Sequence, residues 1–233
     1  MGRKRKKSGW KASILAFLAL AGIAGGGWLW WQARVWQPDP VLYPDQGVVI
    51  GAGQGPVGFR TVAALGAGFA YLAASDGTTG KDARFARNLA AAREAGLQAG
   101  AVHHFDPCAM ADGQSANFVT MVPRGASMLP PAIQLDRTAD DCIEPVSDAM
   151  IASELMTLIN QIEMHAGKPV ILMVHRQFEA RHPVSARIER NLWVSGTWRE
   201  PTYAGRPWLL WTANEALSLE ASEEPIGWVV ARP

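Results

Sequence analysis

The sequence predicts an α/β fold: a (β/α) barrel, TIM-barrel-like in regular or irregular form, preceded by one N-terminal transmembrane helix. Three observations predict it. A basic N-terminus precedes one long uncharged apolar run, about eight short apolar runs follow, and segments of helical period separate them. A doubly wound open sheet is the alternative arrangement.

The apolar run comes first. Arg3, Lys4, Arg5, Lys6, Lys7 and Lys11 precede ASILAFLALAGIAGGGWLWW at 12–31. Twenty residues at 1.5 Å rise span about 30 Å, the thickness of a bilayer hydrocarbon core. The positive-inside rule then places residues 1–11 as a cytoplasmic tail and the rest of the chain beyond the membrane. Trp28, Trp30, Trp31 and Trp36 fit an interfacial aromatic belt. A cleaved signal peptide is the competing reading, with small residues at 21–27 offering a processing site. Both readings export the domain, in bacterial terms to the outer side of the inner membrane.

Charge and cysteine usage agree with export. The net charge of +1 hides an asymmetry: the 22 basic residues less the seven up to Trp36 leave 15 against 21 acidic ones. An acidic body lacks the concentrated basic face that nucleic acid requires. Cys108 and Cys142 both fall in the exported part, where disulfides persist, and are expected to pair; two free buried thiols are the alternative.

The elements follow in order. QPDPVLYPDQ, at 37–46, has three prolines and no period, so 32–46 reads as an extended spacer and the domain as 47–233. Strands are expected at 48–50, 69–74, 98–105, 131–136, 169–174, 191–196, 207–213 and 227–231. Each is nearly continuous in apolar character, as buried parallel strands are. Between them, 82–96 puts Phe85, Leu89 and Ala92 on one helical face. The segment 147–167 aligns Ile151, Leu155, Leu158, Ile159 and Ile162 and stops at Gly167-Lys168-Pro169. No internal repeat, Walker motif or HExxH is present, and the glycines at 51, 53 and 55 lack dinucleotide-binding spacing. No cofactor and no metal site are expected, and the sequence sets no oligomeric state.

In such a barrel, chemistry gathers at the C-terminal strand ends. Asp76, His103, His104, Asp106, Gln134, Asp136, His175, Trp198 and Asn214 are the polar or aromatic residues expected there. Gln134 and Asp136 lie two apart on one strand, so both side chains can face the mouth. Two carboxylates so placed would be a glycosidase signature; here one is an amide. Of the neighbouring His103 and His104, one should face the barrel interior and the other the helices. Trp193, Trp198, Trp208, Trp211 and Trp228 crowd the C-terminal third. Their faces suit sugar rings or core packing, with Trp198 in a loop best placed for stacking.

Read together, these segments resemble glycoside hydrolase family 25, lysozymes that cleave the N-acetylmuramic acid to N-acetylglucosamine link of peptidoglycan. The resemblance runs from about 47 to 232. FAYLAASDGTTGKDARFARNLAAAREAGLQAGAVHHF looks like the family's strand, helix and following strand ending in His-Phe. LPPAIQLD, at 129–136, looks like its Leu-Pro-Pro strand carrying an Asp-x-Glu pair, and KPVIL, NLWVS and PWLLW resemble later strands. The resemblance implies a peptidoglycan-type glycan as partner.

Departures fall on the family's functional positions. Asp-x-Glu is here Gln134-Leu135-Asp136, and the first-strand and C-terminal aspartates are Val49 and Gly227. The tyrosine before His-Phe is Val102. Asp136 and Gln134 are therefore the expected catalytic pair, Asp136 as general acid and Gln134 orienting the substrate's N-acetyl group. Asp76, His103, Trp198 and Trp211 are the expected substrate contacts. A barrel that binds glycan or an envelope protein without hydrolysis is the second hypothesis.

Overall fold

The computed structural model describes residues 9–125 and 127–233; the expected basic tail lies outside the described residues up to position 8. Helix α1, Gly9–Val35, is apolar all round. Leu15, Phe17, Leu20 and Ile23 are exposed, and no apolar side chain of its spanning stretch, Ser13–Val35, is buried within the chain. A helix apolar on every side finds its solvent in lipid or in a partner.

The rest is an α/β fold around a closed barrel. Its strands are β1 (Gln46–Ile50), β2 (Phe69–Asp76), β4 (Gln98–His104), β5 (Ala132–Leu135), β6 (Ile171–Val174), β7 (Asn191–Ser195), β8 (Leu210–Leu217) and β9 (Ile226–Ala231). A two-residue β3 (Gly80–Lys81) forms a hairpin with the end of β2. Neighbours run β1, β9, β8, β7, β6, β5, β4, β2, and β1 pairs with β2 to close the ring. Seven strands are parallel, while β9 runs antiparallel to both β8 and β1.

Helices α2 (Phe59–Ala64), α3 (Phe85–Glu94), α4 (Ala111–Met121), α5 (Asp148–Ala166) and α6 (Arg176–Arg181) follow the earlier strands. The alternation then stops. Among the described residues no helix follows β7 or β8, so this is a closed eight-stranded barrel without the regular strand-helix repeat. The reason lies in chain length. Eight residues separate Leu217 from Ile226, too few for the dozen or so that a parallel crossover needs. The outer face of β8 is covered instead by residues 36–46. Trp36 and Tyr43 lie 6.4 and 5.7 Å, ring to ring, from Trp211.

Local signals act as their chemistry requires. The Ser147 hydroxyl caps α5 by accepting the Met150 N–H at 3.3 Å, and Gly167 ends it at φ +66°. Ile151, Leu155, Leu158, Ile159 and Ile162 are its buried face, as Phe85, Leu89 and Ala92 are in α3. Inside the barrel, Phe69, Tyr71, Val102, Ile171, Met173, Trp193 and Leu210 form an apolar plug. Gly100 makes room for it, since a Cβ there would stand 2.3 Å from the Tyr71 ring. Cys108 and Cys142 form a disulfide, with Cα atoms 5.4 Å apart, tying the loop after β4 to the loop after β5.

Candidate active site

The plug stops short of the C-terminal strand ends, leaving a mouth of about 440 Å³. Its wall includes Ile50, Ala73, His104, Gln134, His175 and Thr212. Val49, Val102 and Gly227 also line it.

Gln134 lines the mouth, and Asp136, just past the end of β5, joins it through a hydrogen bond. Gln134 Nε2 donates to Asp136 Oδ2 at 2.9 Å, and Asp136 Oδ1 is buried with no protein hydrogen-bond partner among the described residues. His104 Nδ1 is 3.9 Å from Asp136 Oδ2. Burial pushes the His104 imidazole below its ordinary pKa, with Asp136 pulling the other way, so the ring favours its neutral form. His175, just past β6, also keeps a buried Nε2 without a protein partner among the described residues.

The other sequence-predicted residues are distributed around this centre. Asp76 stands at the end of β2, and Arg137 donates to it through both guanidinium nitrogens at 2.7 and 2.5 Å. That bidentate pair holds the Asp76 carboxyl below the usual carboxylate range. His103 faces the helices and is fully buried, leaving His104 to face the mouth. Gln114 Oε1 accepts the Asp106 N–H at 2.8 Å while its Nε2 donates to Asp106 O and Ala109 O, which fixes the amide. His103 therefore carries its proton on Nε2, donating to Gln114 at 3.3 Å, and accepts the Ser75 hydroxyl at Nδ1 at 2.8 Å. Burial pushes its pKa down to about 4.

Trp211 is on the outer face of β8, 2% exposed, donating to Gly196 O. Trp198, at φ +74° and half-exposed, lines a separate cavity with Trp36, Tyr43 and Glu200. The structure thus brings Gln134 and Asp136 together and sets Asp76 opposite His104 in the β2 to β4 register. Of the expected catalytic and substrate-contacting residues only Gln134 lines the mouth; Asp136 is reached through it, and Asp76, His103, Trp198 and Trp211 do not line the mouth.

Gln54, Ser195, Thr212 and Glu215 line the mouth without being marked by the sequence, and Glu215 is the charged one. Strand alternation from Thr212 puts Asn214 inward, but the β8 to β9 register shifts between these two residues. Asn214 turns outward and Glu215 lines the mouth in its place. Only the bulge reveals Glu215, and nothing in the alternation marks it.

Residues 50–216 match the family model described as Glycosyl hydrolases family 25. The chain belongs to that family. Among solved structures, a family 25 glycosyl hydrolase from Bacillus anthracis shares the fold at a TM-score of 0.76 and 24% identity, covering 86% of this chain and 93% of that one. The bacterial lysozyme from Streptomyces coelicolor gives a TM-score of 0.72 at 19% identity, over 81% and 92%. Lysozyme M1 of Streptomyces globisporus is 36% identical over 73 residues, 31% of this chain and 25% of the enzyme. The uncharacterized protein YegX of Escherichia coli K12 is 22% identical over 82% of this chain and 71% of its own length. Val49, Gln134 and Gly227, the positions where the sequence resemblance expects carboxylates, all line one mouth. Val49 and Gly227 are also register partners across β1 and β9.

Proposed function

We propose that this family 25 protein is held in a membrane by α1 and acts on peptidoglycan, cleaving N-acetylmuramic acid to N-acetylglucosamine links at a reduced rate. The observation that carries the reading is Gln134 on the mouth of a family 25 barrel, hydrogen-bonded to the Asp136 carboxylate beside it. Protonated Asp136 gives its proton to the glycosidic oxygen as the C1–O bond breaks. The substrate's own acetamido oxygen bonds to C1, with the Gln134 amide orienting that group, and water then opens the ring and returns a proton to Asp136. Asp76 and Arg137 serve as sugar-contacting groups at the rim. Trp198 serves as an outer stacking surface.

Rate is lost in two ways. Asp136 is one methylene shorter than the family's Glu, and a misplacement of about 1 Å can cost on the order of 10²-fold. The family's other carboxylate positions are an amide, a valine and a glycine, so positive charge developing at C1 meets less compensation. The same loss favours the second reading, a barrel that holds glycan without cutting it. Incubating peptidoglycan with the full chain and with Asp136→Asn separates the two. The substitution is expected to lower muropeptide release by roughly 10²-fold or more. Equal release by both proteins, or none by either, contradicts hydrolysis through Asp136.

Membrane attachment is supported by Ser13–Val35, 23 residues of mean hydropathy 1.7 with none of it buried in the chain. The positive charges ahead of it and the tryptophans at its far end give the domain an outward face. Co-flotation of the full chain with vesicles tests this part separately.

A further inference from the structure

Helix α1 and the barrel are joined by more than the covalent chain. The last turn of a helix leaves carbonyl groups without partners inside the helix. Here the barrel supplies them. Asn214, 1% exposed, donates through Nδ2 to Ala33 O at 2.7 Å and to Trp36 O at 2.9 Å. The Ser218 N–H donates to Arg34 O at 2.7 Å. The Asn214 amide is held in this orientation because its Oδ1 accepts the Ala216 N–H at 3.0 Å.

The grip continues along the following residues. Trp36 and Tyr43 pack on Trp211. Gln46 Nε2 donates to Tyr43 O at 2.9 Å and Pro38 O at 3.3 Å, while its Oε1 accepts Trp228 Nε1–H at 2.5 Å. A free tether of this length would let the domain wander over roughly 20 Å. This one is fastened at both ends and in the middle.

The grip also falls at a particular height. Trp28, Trp30 and Trp31 are exposed, and the Arg34 guanidinium lies 4.7 Å from the Trp30 ring centroid. Tryptophans at the end of a span settle at the headgroup level. Ala33 is within five residues of all three, about 8 Å along the helix, and Trp36 follows directly on the helix end at Val35. Asn214, which holds those carbonyls, is followed directly by Glu215 on the mouth wall.

We propose that the Asn214 and Ser218 grip holds the barrel mouth at the bilayer surface, so that the glycan it takes lies against the membrane or is still joined to lipid. This rests on the membrane reading of α1. It goes beyond that reading by replacing a reaching domain with a fixed one.

The test uses the full chain in vesicles of phosphatidylethanolamine and phosphatidylglycerol carrying nitroxide-labelled headgroups. A fluorophore is placed through Thr197→Cys, exposed two residues past the mouth-lining Ser195, or through Gln98→Cys, exposed at the opposite end of the barrel. The native pair of cysteines stays oxidised. In the native chain the label at 197 is expected to be quenched severalfold more than the label at 98. A Gly/Ser insertion of about twelve residues after Val35, alone or with Asn214→Ala, is expected to erase most of that difference. Equal quenching at the two sites in a chain that co-floats with vesicles overturns the fixed mouth. A chain that does not co-float overturns the membrane reading itself, and the two failures are told apart by the flotation alone.

Discussion

At the residue scale, the two adjacent histidines show how far alternation alone carries. Sequence alternation separates His103 from His104, but only packing decides which faces inward, and the helix side claims His103 through Ser75, Gln114 and Phe118. Its pKa of about 4 lies below the ordinary 6.5, so the unfolded chain binds a proton that the native one refuses. Stability from this group is complete above about pH 6.5 and is lost as pH falls toward 4, a change on the order of 3 kcal/mol. His103→Gln is expected to flatten the urea-unfolding stability between pH 6.5 and 4, even if it lowers stability at neutral pH. An unchanged pH slope would remove His103 as the cause.

Val49 and Gly227 make a second residue-scale case. A Cβ at position 227 would stand 2.4 Å from Val49 Cγ1, so the valine occupies the space a side chain there would need. Gly227→Asp alone is expected to cost about 1–3 kcal/mol, and Val49→Ala in the same chain to recover part of it. Additive costs in urea unfolding would contradict the coupling. Val49 and Gly227 are therefore one packing solution.

At the scale of elements, α3 and α5 were legible because each buries an apolar stripe, and α5 also has a Ser147 start and a Gly167 stop. Helix α4 was not, because much of its buried face is polar. Gln114, Ser115 and Asn117 are buried there, and Asn117 Nδ2 donates to Gly77 O and Gly80 O at 3.0 and 2.8 Å. Hydrophobic periodicity cannot mark a helix that packs through amides. The disulfide was legible from export alone, and it closes 34 residues of sequence. Replacing both cysteines by alanine is expected to cost about 3–4 kcal/mol by loop-closure entropy. A change in urea stability within a few tenths of a kcal/mol of native would show the two loops to be ordered without it.

At the scale of the whole molecule, the barrel and its single apolar helix were readable, and the direction of the last strand was not. GWVVA has the apolar character of a parallel strand, but the eight-residue connection before it forces an antiparallel return. The expected spacer is also part of the body, covering β8 where the helical layer ends. The two-residue spacing of Gln134 and Asp136 brings their side chains into a hydrogen bond, with Gln134 on the mouth. Glu215 was hidden behind a bulge, and the tryptophans expected on sugar lie outside the mouth.

The proposed activity is slow cleavage next to N-acetylmuramic acid by a mouth with an amide, a valine and a glycine where the sequence resemblance expects carboxylates. The most direct measurement is the identity of new reducing ends, trapped by borohydride, after prolonged incubation of peptidoglycan with the full chain. Slow hydrolysis at this link is expected to give N-acetylmuramitol accumulating in proportion to protein and time. New ends carrying N-acetylglucosamine, or no new ends above the untreated control, would contradict it.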